Sequence, residues 1–272
     1  MMSTDQPFSV IILAADRKQN DPVAQASAVS CKALTPVSGR VMVLRVLDAL
    51  GEAREVGTRI LVGPVKSSLG ENAELNASVS SGQVRWLAPQ ETPSSSAFNA
   101  LQSLPADVPV LVTTADHALL TAAMVDHFCE MARKSGCDVL AGVARYDLVA
   151  ESFPEAKRTV TKLKDGGYCG CNLFAFMTPQ ARLAADFWRK VENERKKPLR
   201  VVKVLGWMAV MRYLLGVLTL QQALAGLSKR MHLKVGVVEM PFAEAAVDVD
   251  KVDDWLLVES ILAERKKKRA PL

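Results

Sequence analysis

The stretch FSVIILAADR, residues 8–17, decides the fold. Six residues of nearly unbroken apolar character run into the small-residue turn Ala14-Ala15, as in a strand covered on both faces. Similar short runs recur at residues 59–62, 84–87 and 108–113. Between them, residues 41–50, 95–104 and 121–134 space their apolar side chains three and four apart, which predicts helices, with Thr121 at an N-cap. Strand and helix in alternation imply an α/β fold built on a doubly wound, mainly parallel, Rossmann-like sheet.

Beyond residue 137 the alternation changes. Residues 158–164 and 168–177 flank Asp165-Gly166-Gly167, a hairpin signal. An apolar and basic helical block follows over about 179–228, then a strand at 233–240 and a helix over about 252–265. With no internal repeat and no low-complexity stretch, residues 1–272 read as one domain carrying a helical insertion and a basic tail at 265–272.

The composition agrees with a folded body of enzyme size: 272 residues, 49% hydrophobic and 23% charged. Five cysteines without a C-x-x-C pair, and an N-terminus lacking a basic segment followed by an apolar run, suggest reduced thiols and a cytoplasmic protein. Cys169-Gly170-Cys171 has no second pair to complete a metal site, so its thiols read as structural.

The net charge of +5 is unevenly placed. Arg265 to Arg269 supply five positive charges, Arg189 to Lys203 a further net five, and the rest of the chain is acidic. No basic stripe interleaved with aromatics runs through the body, which excludes nucleic-acid binding as the main task. The apolar window 204–227 is interrupted by Arg212, so it is too short to span a bilayer. Its basic and aromatic residues suit two packed helices or a peripheral contact with a membrane surface.

A polyphosphate site needs backbone N–H donors at a strand-to-helix turn and a mobile cation. The turn after residues 8–13 supplies the first, and Lys32 follows it at a suitable distance. Thr114-Ala115-Asp116 lies just past another strand, where open α/β sheets bind ligands; taken alone, an aspartate there is more often a helix cap. Asp248 and Asp250 precede the last helix and could cap it or hold a hard cation. Asn172, amid Leu173, Phe174 and Phe176, needs partners for its amide, from substrate or from a neighbouring loop.

Four of these segments, in order, resemble one family: residues 13–42 with Lys32, 114–121 with Asp116, 165–174 with Gly170 and Asn172, and 248–255 with Asp250. The chain resembles the MobA-like NTP transferases, nucleotidyltransferases of the glycosyltransferase-A type that include molybdenum-cofactor guanylyltransferase. The resemblance implies that Leu13, Ala14, Ala15 and Arg17 wrap the nucleotide and that Lys32 contacts phosphate. It implies that Asp116 and Asp250 hold Mg²⁺, with Asp248 in reserve, and that Ser95 in the small-residue turn 93–97 contacts base and ribose. Asn172 and Gly170 would line the acceptor side; the basic block Arg189 to Leu227, which lies between that strand and the strand leading to Asp250, reads from its place in the chain as the roof of that side. Catalysis by Lys32 and Asp116 would move NMP from an NTP to an anionic, phosphorylated acceptor and release pyrophosphate. Asp16 stands where the family has glycine. A glycosyltransferase consuming a nucleotide-sugar and a non-catalytic nucleotide-binding protein are the alternatives.

Overall fold

The computed structural model describes residues 6–16, 20–194 and 207–269. From the N-terminus, β1 (Phe8–Leu13) leads through α1 (Pro22–Ala26) and a 3-10 turn (Lys32–Leu34) to a small hairpin of β2 (Pro36–Val37) and β3 (Arg40–Val41). Then come α2 (Met42–Glu52), β4 (Val56–Val62), α3 (Lys66–Leu69), α4 (Ala73–Ser80), β5 (Arg85–Leu87), α5 (Pro93–Gln102), β6 (Val110–Thr114) and α6 (Ala122–Ser135). The second half holds β7 (Val139–Arg145), α7 (Tyr146–Ser152), β8 (Thr161–Leu163), β9 (Gly166–Phe176), α8 (Arg182–Glu194), α9 (Trp207–Leu214), α10 (Leu220–Met231), β10 (Val235–Glu239) and α11 (Val252–Arg269).

Among the described residues the main sheet has eight strands in the order β10-β7-β9-β6-β1-β4-β5, with β8 paired to β9. All pairings are parallel except those of β9, which runs antiparallel to β6, β7 and β8. The alternation of β1 explains the layers. Phe8, Val10 and Ile12 pack with α2 and α6 on one face, while Ile11 packs with α5 and α8 on the other. A strand buried on both sides is apolar at nearly every position, as this one is apart from Ser9. α2 buries Val43, Leu44, Val46, Leu47 and Leu50 along one stripe, and each such side chain stabilises the fold by about 1.5–3 kcal/mol. A third apolar cluster, in which Val23, Met42 and Leu119 meet Val247, Val249, Val258 and Leu262, fastens α11 and the segment before it to the body.

Several elements differ from the sequence reading. Residues 139–145 form β7, an interior strand next to the edge strand β10, which the sequence pattern does not announce because Ala141, Gly142 and Ala144 thin its apolar signal. The helical block is not a single roof: α8 buries Ala184 and Ala185 against α5, whereas α9 buries no side chain. Residues 195–206, which hold Lys196, Lys197, Arg200 and Lys203 of the basic stretch, lie outside the described residues. The expected tail begins as helix, since Arg265 continues α11 and pairs with Glu244 at 3.0 Å.

Candidate functional site

Beyond the carboxyl ends of β1 and β6 lies a cleft of about 510 Å³. The turn after β1 forms its floor. Ala14 donates its N–H to the Val62 carbonyl, and Ala115 donates to the Leu13 carbonyl, so the ends of β4, β1 and β6 are stitched side by side. Gly63 passes close by with φ +82°, where a Cβ would come within 3.0 Å of the Ala15 nitrogen. Asp16, in the position of a family glycine, reaches forward to Lys32 and accepts its backbone N–H at 3.0 Å. Its carboxylate thereby ties the end of the β1 turn to Lys32 while still lying in the cleft lining. Arg17 lies outside the described residues.

Lys32 stands at the centre. Its Nζ lies 2.6 Å from Asp116 Oδ2 and 3.1 Å from Asp250 Oδ1. Burial alone would lower the lysine pKa, but Asp116 and then Asp250 outweigh it and hold the ammonium above its ordinary range. Burial likewise opposes ionisation of Asp116, and the Lys32 charge outweighs it, so this carboxylate stays below its ordinary range. Asp116 Oδ1 is buried and, among the described residues, has no hydrogen bond. Two carboxylates converging on one cation, with a further carboxylate oxygen uncommitted, are a donor set that suits a hard divalent ion. Neighbouring His117 is only 1% exposed, and burial pushes its pKa down to about 4, so it is a neutral residue beneath the cleft.

Asp250 is delivered by alternation. Val247 and Val249 are fully buried in the third cluster, which turns Asp248 and Asp250 the other way, and Val249 donates its N–H to the Asp116 carbonyl. Asp254 caps this turn by accepting from the Asp250 and Lys251 N–H groups. Arg158, nearly buried, joins Asp248 to Asp254: it pairs with Asp248 Oδ1 at 3.0 Å and with Asp254 at close range. Asp248 thus has protein partners, Arg158 and the Asn172 amide, which donates to Oδ2 at 3.0 Å. Burial, reinforced by the charges of Asp116 and Asp250, pushes the Asp248 pKa up to about 6.

Asn172 reaches the cleft through a bulge in β9. Ala141 faces Phe174 and Val143 faces Gly170, so three residues of β9 oppose Gly142 alone. Asn172 takes φ +49° there, and a Cβ on Gly142 would lie only 3.2 Å from that of Leu173. Gly170 is exposed on the strand and outside the cleft lining.

The opposite wall comes from the turn before α5 and from α8. Gln90, Thr92 and Ser96 line it, with the Gln90 N–H donated to Ser96 Oγ at 2.9 Å. Ser95 sits one residue away from the lining, in the first turn of α5, where its N–H is capped by Thr92. Phe174 and Trp188, with ring centroids 5.8 Å apart, add an aromatic surface. Arg158 and Trp188 escaped the sequence reading, Arg158 because it looked like the start of a strand and Trp188 because it stands in a helix whose facing partner was unknown.

The described cysteines are free, four of them buried, and no described group of His, Cys, Asp and Glu forms a larger metal cluster. Trp207, Met208, Leu214 and Leu215 are exposed around α9, but no described helix is long and apolar enough to cross a membrane, and no observation ties these side chains to a bilayer.

The MobA-like NTP transferase domain matches residues 10–202, so the chain belongs to that family. No curated protein matches the sequence. Among solved structures, a hypothetical transferase from Thermus thermophilus is 27% identical, with a TM-score of 0.76 over 92% of this chain and 99% of that one. More distant are 4-diphosphocytidyl-2C-methyl-D-erythritol synthase from Anaerococcus prevotii (15% identity, TM-score 0.55, 95% and 96% coverage) and CMP:2-keto-3-deoxy-manno-octonic acid synthetase in complex with CTP (12%, 0.54, 95% and 99%). These two share the glycosyltransferase-A-like nucleotidyltransferase fold.

Proposed function

We propose that this MobA-like NTP transferase moves a nucleoside monophosphate from an NTP to a phosphorylated small-molecule acceptor. One observation carries the reading: Lys32, Asp116 and Asp250, from three distant parts of the sequence, meet within 3.1 Å at the strand ends that floor the cleft. An acceptor phosphate oxygen would bond to the α-phosphorus as the bond from that phosphorus to its bridging oxygen breaks. Pyrophosphate then leaves with the electron pair. No side-chain nucleophile is required.

In this reading, Leu13, Ala14 and Ala15 form the floor against which the phosphates lie. The turn holding Gln90 and Ser96 faces base and ribose. Lys32 stabilises charge that builds on the departing phosphates, and Asn172 orients the acceptor beside the Phe174 and Trp188 surface. Asp116 and Asp250 would hold Mg²⁺, which supplies neutralisation of phosphate charge when bound. The names of the two distant structural relatives point to the same class of chemistry.

The test is product analysis with each NTP, a divalent metal and a panel of phosphorylated acceptors. Metal-dependent pyrophosphate release with a nucleotidylated acceptor is the expected result. Release of NDP from a nucleotide-sugar would identify a glycosyltransferase, and binding without turnover a nucleotide-binding protein.

A further inference from the structure

The described lining of the cleft has an unusual charge balance for a site that is to take a triphosphate. Asp16, Asp21, Glu91, Asp116 and Asp250 face it, against the single ammonium of Lys32. That ammonium touches Asp116 and Asp250 together, the same pair assigned above to the metal. A small cation bound by both carboxylates and the Lys32 Nζ compete for the same oxygen atoms, Asp116 Oδ2 and Asp250 Oδ1.

We infer that Lys32 is the built-in counter-cation of Asp116 and Asp250, and that a divalent ion enters this pair only by displacing it. The inference rests on the assignment of these two carboxylates as metal ligands. Its consequence is coupled loading. A displaced Lys32 is a partly buried ammonium without its carboxylates, and the arriving triphosphate gives it a new anionic partner. Metal alone leaves the lysine unpaired, and NTP alone meets four more carboxylates than ammonium groups in the described lining. Each ligand therefore raises the affinity of the other, and by the same factor. The lysine keeps the two carboxylates neutralised until both arrive.

The experiment titrates the full chain with Mn²⁺ in the absence of nucleotide, following free Mn²⁺ by its paramagnetic resonance. Wild type should bind weakly, and NTP should tighten Mn²⁺ binding beyond the Mn²⁺ that the same NTP takes up without protein. Lys32→Met, which removes the competing charge but keeps the length of the side chain, should bind Mn²⁺ alone at least about tenfold more tightly than wild type. Equal or weaker binding by this variant overturns the inference, as does wild-type binding that is equally tight with and without NTP. A measurement on wild type guards against a variant that does not fold: acetylation of Lys32, read by mass spectrometry, should accelerate on adding Mn²⁺, and an unchanged rate counts against displacement. The double variant K32M/D116N separates the two layers of argument. Mn²⁺ binding as tight as in K32M would remove the ligand assignment itself. Loss of binding in the double variant, with K32M no tighter than wild type, would remove only the exchange. None of these readouts depends on pyrophosphate release, so failure of the transfer reaction would be seen separately.

Discussion

A single ammonium shared by two carboxylates makes sharp demands on substitutions. Lys32→Ala should lower kcat/KM for NTP by on the order of 10² or more, because phosphate charge in the transition state loses its cation. Unchanged kinetics would reduce Lys32 to a structural ion pair. Asp116→Asn and Asp250→Asn should each abolish metal-dependent turnover and keep a cooperative melting transition, and full activity in both would remove the metal assignment. Asp248 supplies a prediction about stability. Its folded pKa of about 6 lies above the ordinary carboxylate value, so its contribution is fully present below about pH 4 and is lost as pH rises through 6. Asp248→Asn should therefore flatten the fall in stability between pH 4 and 6, measured as the denaturant midpoint against wild type. Equal slopes in the two proteins would refute the shifted titration.

At the scale of elements, the bulge in β9 is what brings the Asn172 amide to the cleft. A left-handed φ costs an ordinary residue about 1–3 kcal/mol, asparagine less, and glycine least. Asn172→Gly should keep the backbone and lose only the amide, whereas Asn172→Ala should lose both and be about 1 kcal/mol less stable than the glycine variant. Urea midpoints decide it, and equal values would show the backbone to be unstrained. The bulge was not legible in the sequence, because Gly170 to Phe174 alternates as a regular strand does and the irregularity arises from pairing with β7. β1 and β6 were legible because burial on both faces leaves short, mostly apolar runs, FSVIIL and VLVTT, bounded by turn residues. Lys32, Asp116 and Asp250 were legible through motif order, while Arg158 and Trp188 act through partners far away in the chain, Asp248 and Phe174, that only the fold makes neighbours.

Across the whole molecule, the cleft is assembled from residues as distant as Leu13 and Asp250. Its floor is the centre of the sheet, β1 beside β6, and one side is completed by the segment that the third apolar cluster clamps down. Opening that segment, or separating the ends of β1 and β6, destroys the site, so ligand binding must oppose unfolding of the body as a unit. A ligand at 100 times its dissociation constant adds about 2.7 kcal/mol to folding stability, which for a chain of this size raises Tm by about 5–10 °C. The preferred NTP should produce a shift of that size in one sharp transition, and it should need a divalent metal, since the described lining opposes five carboxylates to one ammonium. The same NTP without metal should give little or no shift. An equal shift in the presence of a chelator would mean that cations outside this lining carry the phosphates, and the central place given to Asp116, Asp250 and Lys32 would fall with it.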